Sequence, residues 1–228
     1  MAASDIQPLS AQIWRAVEAQ HKVSTMRLVD NDLAAQAILE RLIDSAKPPY
    51  PDDTLGLHWL LATPFRYRPS KHGSRFRAYH DPGVFYGAIA QRTACAEAGY
   101  WRWRFILDSE GLQQLDAHPM TLFLSKFAAP GVDLRQPPFS RLKKHWMDPI
   151  DYRYTQDFAR QARTKKIGAI LYASVRDPEH GAAAAVLTPN AFTPGQVPKL
   201  ETWYLTVNRA KVIWAHELGQ SFEFSWVE

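Results

Sequence analysis

Between residues 31 and 46 the run NDLAAQAILERLIDSA sets Leu33, Ala34, Ala37, Ile38, Leu42 and Ile43 at helical spacing. It starts on Asn/Asp and stops at Pro48, which predicts an amphipathic helix. A second helix is predicted in IAQRTACAEAGYW, where alanines dominate and Glu97 falls four residues after Thr93 on the same face. The third, TQDFARQARTKK, has Thr155 as its expected N-cap, acid near its start, base near its end and Gly168 just beyond. Aromatic and β-branched runs predict strands in GVFYGA, TLFLSKF, GAILYASVR, AAAVLT, TWYLTVN and AKVIWAHE. Helices gather early and strands late. The expected class is therefore α+β: one domain over 1–228 with a mostly antiparallel central sheet and flanking helices, and a helical N-terminal extension over 1–60 packed on it.

Composition sharpens this only modestly. The chain has 228 residues, 46% hydrophobic and 12% aromatic, enough for a well-filled core. With 27 basic against 23 acidic residues, the net charge of +4 mildly favours anionic partners but does not separate a nucleotide from a nucleic acid. The single Cys95 excludes an intramolecular disulfide framework. No apolar run is long enough to span a membrane and no leader pattern is seen, so a cytoplasmic protein is expected. Zinc, P-loop and dinucleotide-fold signatures are missing.

The chemistry concentrates in 63–103. Arg66, Arg68, Arg75 and Arg77 share a loop-like stretch with Pro69, Gly73 and Ser74, and the planar fork of arginine suits phosphate. A solvated loop with paired arginines is the plain alternative. Tyr86 ends a short apolar strand and offers a flat face for a base, or simply fills a core position. Glu97 sits among Ala94, Cys95, Ala96, Ala98 and Gly99, where a buried carboxylate needs either a function or an ion pair.

In order and spacing, GSRF with Arg75, PGVFYGA with Tyr86, RTACAE with Glu97 and GAILYASVRDPEHG with Ser174 resemble the RES domain. The flanking HWLLATPFRYRPSKHGSRFR and IWRAV resemble its longer, ParT-like subgroup. The resemblance implies a fold like that of the diphtheria-toxin-like ADP-ribosyltransferases and the toxin half of a bacterial toxin–antitoxin pair, with NAD as substrate. It also implies an Xre-like antitoxin partner that covers the active-site entrance. By the same resemblance Arg75 and Arg66 clamp the pyrophosphate, Arg15 of IWRAV competing with Arg66 for that place. Tyr86 stacks on or orients the nicotinamide end, Glu97 stabilises the ribosyl cation, and Ser174 bonds the ribose or holds Glu97. The ADP-ribose acceptor is expected to be a protein, with NAD phosphorolysis or hydrolysis as the alternative.

Rival readings are weaker. The FRYRPSKHGSRFR strip suits a nucleic-acid surface in sign, but Asp81, Glu97, Asp108 and Glu110 follow closely. No direct nucleic-acid contact is expected. Ser174 lacks the GxSxG surroundings of a hydrolase nucleophile. His58, His72 and His80 fit no compact ligand set, so no metal is expected. Cys95 reads as a small packing residue, and Trp203, Tyr204, Trp214 and Trp226 as core.

Overall fold

Eight strands form one sheet: β1 (Gln7–Glu18), β2 (Phe85–Ala88), β3 (Gln114–Asp133), β4 (Ala169–Ala173), β5 (Ala182–Val186), β6 (Lys199–Asn208), β7 (Val212–His216) and β8 (Ser221–Phe224). The structure is a computed structural model that describes residues 2–19, 27–30, 32–67 and 73–227. Among the described residues the longer helices beside the sheet are α1 (Leu33–Ser45), α2 (Trp59–Arg66), α3 (Gln91–Leu107) and α4 (Arg153–Thr164), with a single helical turn at Lys143–Trp146. The class is α+β.

The strand order is β1-β2-β5-β4-β3-β6-β7-β8, and β1 pairs β3 as well. The first five strands therefore close into a ring, and β6, β7 and β8 extend from the long β3. Every pairing is antiparallel except β3 with β4. That one parallel pair is joined by a crossover carrying α4, as parallel neighbours require. β3 serves both parts: Met120–Leu124 pairs β6 on one edge while its whole later half runs along β1 on the other.

Three expectations are corrected. The N-terminal extension is not helical throughout, because residues 7–18 form β1, in register from Gln7↔Gly131 to Glu18↔Met120. Residues such as Ala11, Gln12 and Ala16 carry helical preference, and the twelve-residue pairing along β3 overrides it. The TLFLSKF strand is part of the 20-residue β3, whose reach is masked by Pro119 and Pro130, residues that lack a ladder donor. Thr155 is not an N-cap; it lies inside the first turn of α4, and its hydroxyl sits against the Arg75 and Tyr152 carbonyls.

α1 forms one residue inside the expected start, with the Asp32 carboxylate accepting from the Ala34 and Ala35 amides at 2.8 and 3.2 Å. Leu33, Ile38 and Leu42 on it stay exposed, so its apolar stripe is not sunk into the core of the described residues. α3 is the helix that matters for the site. Gly99 lets it lie on β7, since a Cβ there would meet Val212 Cγ1 at 2.9 Å and Trp214 Nε1 at 3.0 Å. Beneath it Trp203, Trp214, Met120 and Leu122 are buried, as are Cys95 and Trp103 of the helix itself. Burial of a large apolar side chain is worth roughly 1.5–3 kcal/mol, so this seat fixes the helix firmly.

Candidate active site

β1 and β2 meet at a single register pair, Trp14↔Ala88. Beside this short seam opens a cavity of about 450 Å³, within the usual range for ligand sites. Trp14, Arg15 and Ala16 come from β1, Tyr86 to Ala88 from β2, Glu97 and Trp101 from α3, and Tyr152, Tyr172 and Arg176 from the far wall. The Arg15 Nη1 donates to the Tyr86 carbonyl at 2.7 Å and so spans the seam where no ladder continues. Its guanidinium carbon lies 4.9 Å from the Phe85 ring centroid, and burial pulls its pKa down to about 10. It is still a cation at neutral pH. Arg15 Nε is buried and has no hydrogen-bond partner among the described residues.

Arg75 rides on a tight loop. Gly73 takes a φ of 68°, where a Cβ would drive into the Arg77 carbonyl, and Ser74 and Arg77 exchange backbone hydrogen bonds at 2.7 and 3.1 Å. The Tyr86 hydroxyl pins this loop from below, 2.8 Å from Ser74 Oγ and accepting from the Phe76 amide at 2.9 Å. Gln156 of α4 donates to the Ser74 carbonyl at 3.0 Å. Held this way, Arg75 Nη1 donates to the Trp146 and Asp148 carbonyls, each at 3.0 Å, and the guanidinium faces the Tyr152 ring.

Glu97 projects from α3 into the cleft opposite these arginines. Ser174 Oγ, at 0% exposure, donates to Glu97 Oε1 at 2.6 Å and accepts from the Asp177 and Arg176 amides at 2.9 and 3.2 Å. Burial pushes the Glu97 pKa up; the Ser174 hydrogen bond and the Arg75 and Arg176 cations pull it back only in part. Arg176 Nη2 donates to the Pro149 carbonyl at 2.6 Å and the Tyr152 hydroxyl at 3.0 Å, with its guanidinium 3.9 Å from the Tyr100 ring centroid. The cleft thus sets one carboxylate among three guanidinium groups.

A second buried carboxylate ties the two halves together. Asp177, at 1% exposure, pairs with Arg92 and accepts from Thr93 Oγ1 at 2.8 Å, both near the start of α3. Burial opposes its charge, yet the Glu179 amide, Thr93 and Arg92 hold its pKa below the usual carboxylate range. Thr93 is one turn before Glu97, so the loop carrying Ser174 and the helix carrying Glu97 are fastened to each other.

Of the residues singled out in the sequence, Arg75, Tyr86 and Glu97 line this cleft and Arg15 joins them, while Ser174 is buried behind Glu97 and reaches the cleft only through that carboxylate. Arg66 does not line it. It pairs with Asp44, donates to the Pro48 carbonyl and covers the Tyr50 ring, so Arg66 is turned away from the cleft that Arg15 lines. Arg68 and His72 lie outside the described residues. Arg77 donates to the Tyr67 and Asp81 carbonyls, so the described arginines of the basic strip turn onto backbone rather than forming one open face. Cys95 is buried and its thiol pKa is raised by burial. Among the described residues no group of three or more His, Cys, Asp or Glu side chains could hold a metal, and no helix is long and apolar enough to cross a membrane. Sequence reasoning passed over Arg176, Tyr152 and Trp101. Arg176 alone left a trace, two residues after Ser174 in SVRD.

A family model described as the RES domain matches residues 51–208. The chain belongs to the RES-domain family. The RES-domain match takes in the Arg75 loop, β2, α3 and Ser174, while β1 with Arg15 precedes it. A chain in the crystal structure of the M. tuberculosis MbcT–MbcA toxin–antitoxin complex has a similar fold, with a TM-score of 0.50 and 12% sequence identity. The similarity covers 96% of this chain and 87% of that one. No curated protein matches the sequence significantly.

Proposed function

We propose that this RES domain cleaves the bond between nicotinamide and ribose in NAD and transfers the ADP-ribose to a protein side chain. The observation that carries the reading is Glu97, held by Ser174, facing Arg15, Arg75 and Arg176 across one cleft. The residues present fit such a substrate. A dinucleotide brings a pyrophosphate for guanidinium groups, flat rings for Tyr152, Tyr172 and Trp101, and a ribose for the carboxylate. The partnerless Nε of buried Arg15 is a donor suited to a phosphate oxygen.

The glycosidic C–N bond breaks with its electron pair passing to the ring nitrogen, so nicotinamide leaves neutral and positive charge grows on the sugar. Glu97 stabilises that charge, much as a carboxylate does in glycoside cleavage. The acceptor then bonds to the anomeric carbon and loses a proton. A carboxylate whose pKa is raised by burial is suited to receive it. Ser174 is a positioning residue here, its hydroxyl spent on Glu97 and two amides rather than free to attack. We further propose that the protein is the toxin half of a pair restrained by an Xre-like antitoxin and acts in the cytoplasm. Family membership and the toxin–antitoxin complex to which the similar structure belongs support this.

The test is incubation of the purified chain with adenylate-labelled NAD and a cell lysate, following nicotinamide release and labelled protein, with Glu97→Gln as control. Release with labelled protein is expected. Release without it, raised by added phosphate, would make the enzyme an NAD phosphorylase, and no release would refute NAD cleavage.

A further inference from the structure

A basic ledge is built beside the segment whose carbonyls hold Arg75 and Arg176. A shallow depression of about 670 Å³ is lined by Arg141, Lys143, Lys144 and His145 together with Leu142 and Met147. Arg141, Lys143 and Lys144 are exposed, and no carboxylate among the described residues pairs with any of them. The one acid in the lining, Asp148, accepts from the Ile150 and Asp151 amides through Oδ1 at 2.9 and 2.7 Å, so a single carboxylate faces the cations of Arg141, Lys143 and Lys144. Alongside stand exposed apolar side chains, Leu142 at 48% and Ile150 at 87%. Like charges crowded on one turn repel each other, so the ledge gains from any anion that settles on it.

Its position gives it meaning. The same 146–152 segment that bounds this depression offers the Trp146 and Asp148 carbonyls to Arg75, and the Pro149 carbonyl and Tyr152 hydroxyl to Arg176. The segment that holds the cleft's arginines therefore also builds part of the ledge.

We propose that the ledge is the docking surface for an acidic polypeptide segment bearing apolar side chains, the acceptor that the cleft modifies. This rests on the reading of the cleft as an ADP-ribosyl transfer site. Charge complementarity selects the acid, and Leu142 with Ile150 selects a polypeptide over a nucleic acid, whose backbone offers nothing to an isolated aliphatic pair. Substrate-docking surfaces beside a reactive centre raise the local concentration of acceptor without touching the chemistry.

The experiment uses the full chain and three labelled probes: a peptide of repeated Glu-Glu-Leu, the same peptide with Ser for Leu, and a single-stranded RNA of equal charge. Binding is read by anisotropy in buffer without NAD, for wild type, for Arg141→Glu/Lys143→Glu/Lys144→Glu and for Leu142→Ser/Ile150→Ser. Nicotinamide release is read separately. The leucine peptide is expected to bind wild type best, and each variant to weaken it by about tenfold or more. Nicotinamide release without acceptor should stay unchanged in both, and the melting temperature should show both folded. Equal binding of the leucine and serine peptides, unchanged binding in the charge-reversed variant, or tighter binding of RNA would each overturn the proposal. Absence of nicotinamide release from wild type would remove the acceptor role by refuting the reading of the cleft. Because peptide binding is measured without NAD, that failure is distinct from failure of the ledge.

Discussion

At the scale of single residues the cleft works by making one carboxylate uncomfortable. The Glu97 pKa is raised above 4.5 chiefly by burial, so keeping it ionised at neutral pH costs the folded protein free energy. In the window between 4.5 and the raised value the native state holds a proton that the unfolded chain has lost, and stability falls as pH rises through it. Glu97→Gln removes the charge. It should lower nicotinamide release by at least about a hundredfold while raising the neutral-pH melting temperature, a gain that closes below pH 4.5. Paired melts across pH check this. Ser174→Ala removes a donor that favours the ionised form, so the acid limb of the pH–rate profile should move to higher pH. It also strands the Asp177 and Arg176 amides, at a cost of about 1–3 kcal/mol in unfolding free energy measured with denaturant. The residues of this site were partly legible. Arg75, Tyr86, Glu97 and Ser174 lie in short pieces whose order can be read along one line. Arg66 and Arg15 could not be told apart, because nothing local to either stretch says that one faces Asp44 and the other the cleft.

At the scale of elements, the site depends on how α3 is fastened to the turn between β4 and β5. The fastening leaves no space: a Cβ on Gly181 would run into Thr93 Oγ1 and lie 2.8 Å from Asp177 Oδ2. Gly181→Ala should therefore push Thr93 off Asp177, cost about 1–3 kcal/mol by overpacking and lower kcat for nicotinamide release more than it raises KM for NAD. A variant with an unchanged melting curve and unchanged kcat would show that the turn yields freely. α3 was legible because its alanine-rich run favours a helix by propensity, and α4 because its amphipathic run carries its own periodicity. β1 was not, since its extended form is imposed by a partner more than a hundred residues later in the chain. The failed Thr155 cap has the same cause, as a carbonyl of the Arg75 loop recruits its hydroxyl from across the fold.

At the scale of the whole molecule, β1 closes the five-strand ring and brings Arg15 to the cleft from outside the stretch that matches the family model. These two duties separate by mutation. Arg15→Gln should keep the ring, because its backbone pairing with Phe123 is untouched, yet raise KM for NAD by about tenfold through loss of a charge-assisted contact. Removal of residues 1–18 should abolish cooperative unfolding, since Phe85, Phe123 and Phe127 would lose Ile13 from their cluster and the edge of β3 would lose its partner. Circular dichroism and steady-state kinetics on the two variants would distinguish a structural strand from a functional one. The general class followed from the late clustering of strands; the ring did not, because closure is a property of two strands distant in sequence.

The ring also orders events during synthesis. β1 leaves the ribosome before β3 and must wait for it before it can pair along that edge, and Glu97 likewise waits for Ser174. Even then Arg176 lacks the Trp226 indole, which donates to its carbonyl at 2.7 Å from 50 residues further along the chain. A nascent chain therefore holds its carboxylate and its arginines on unjoined pieces, and the cleft is complete only once Trp226 has emerged.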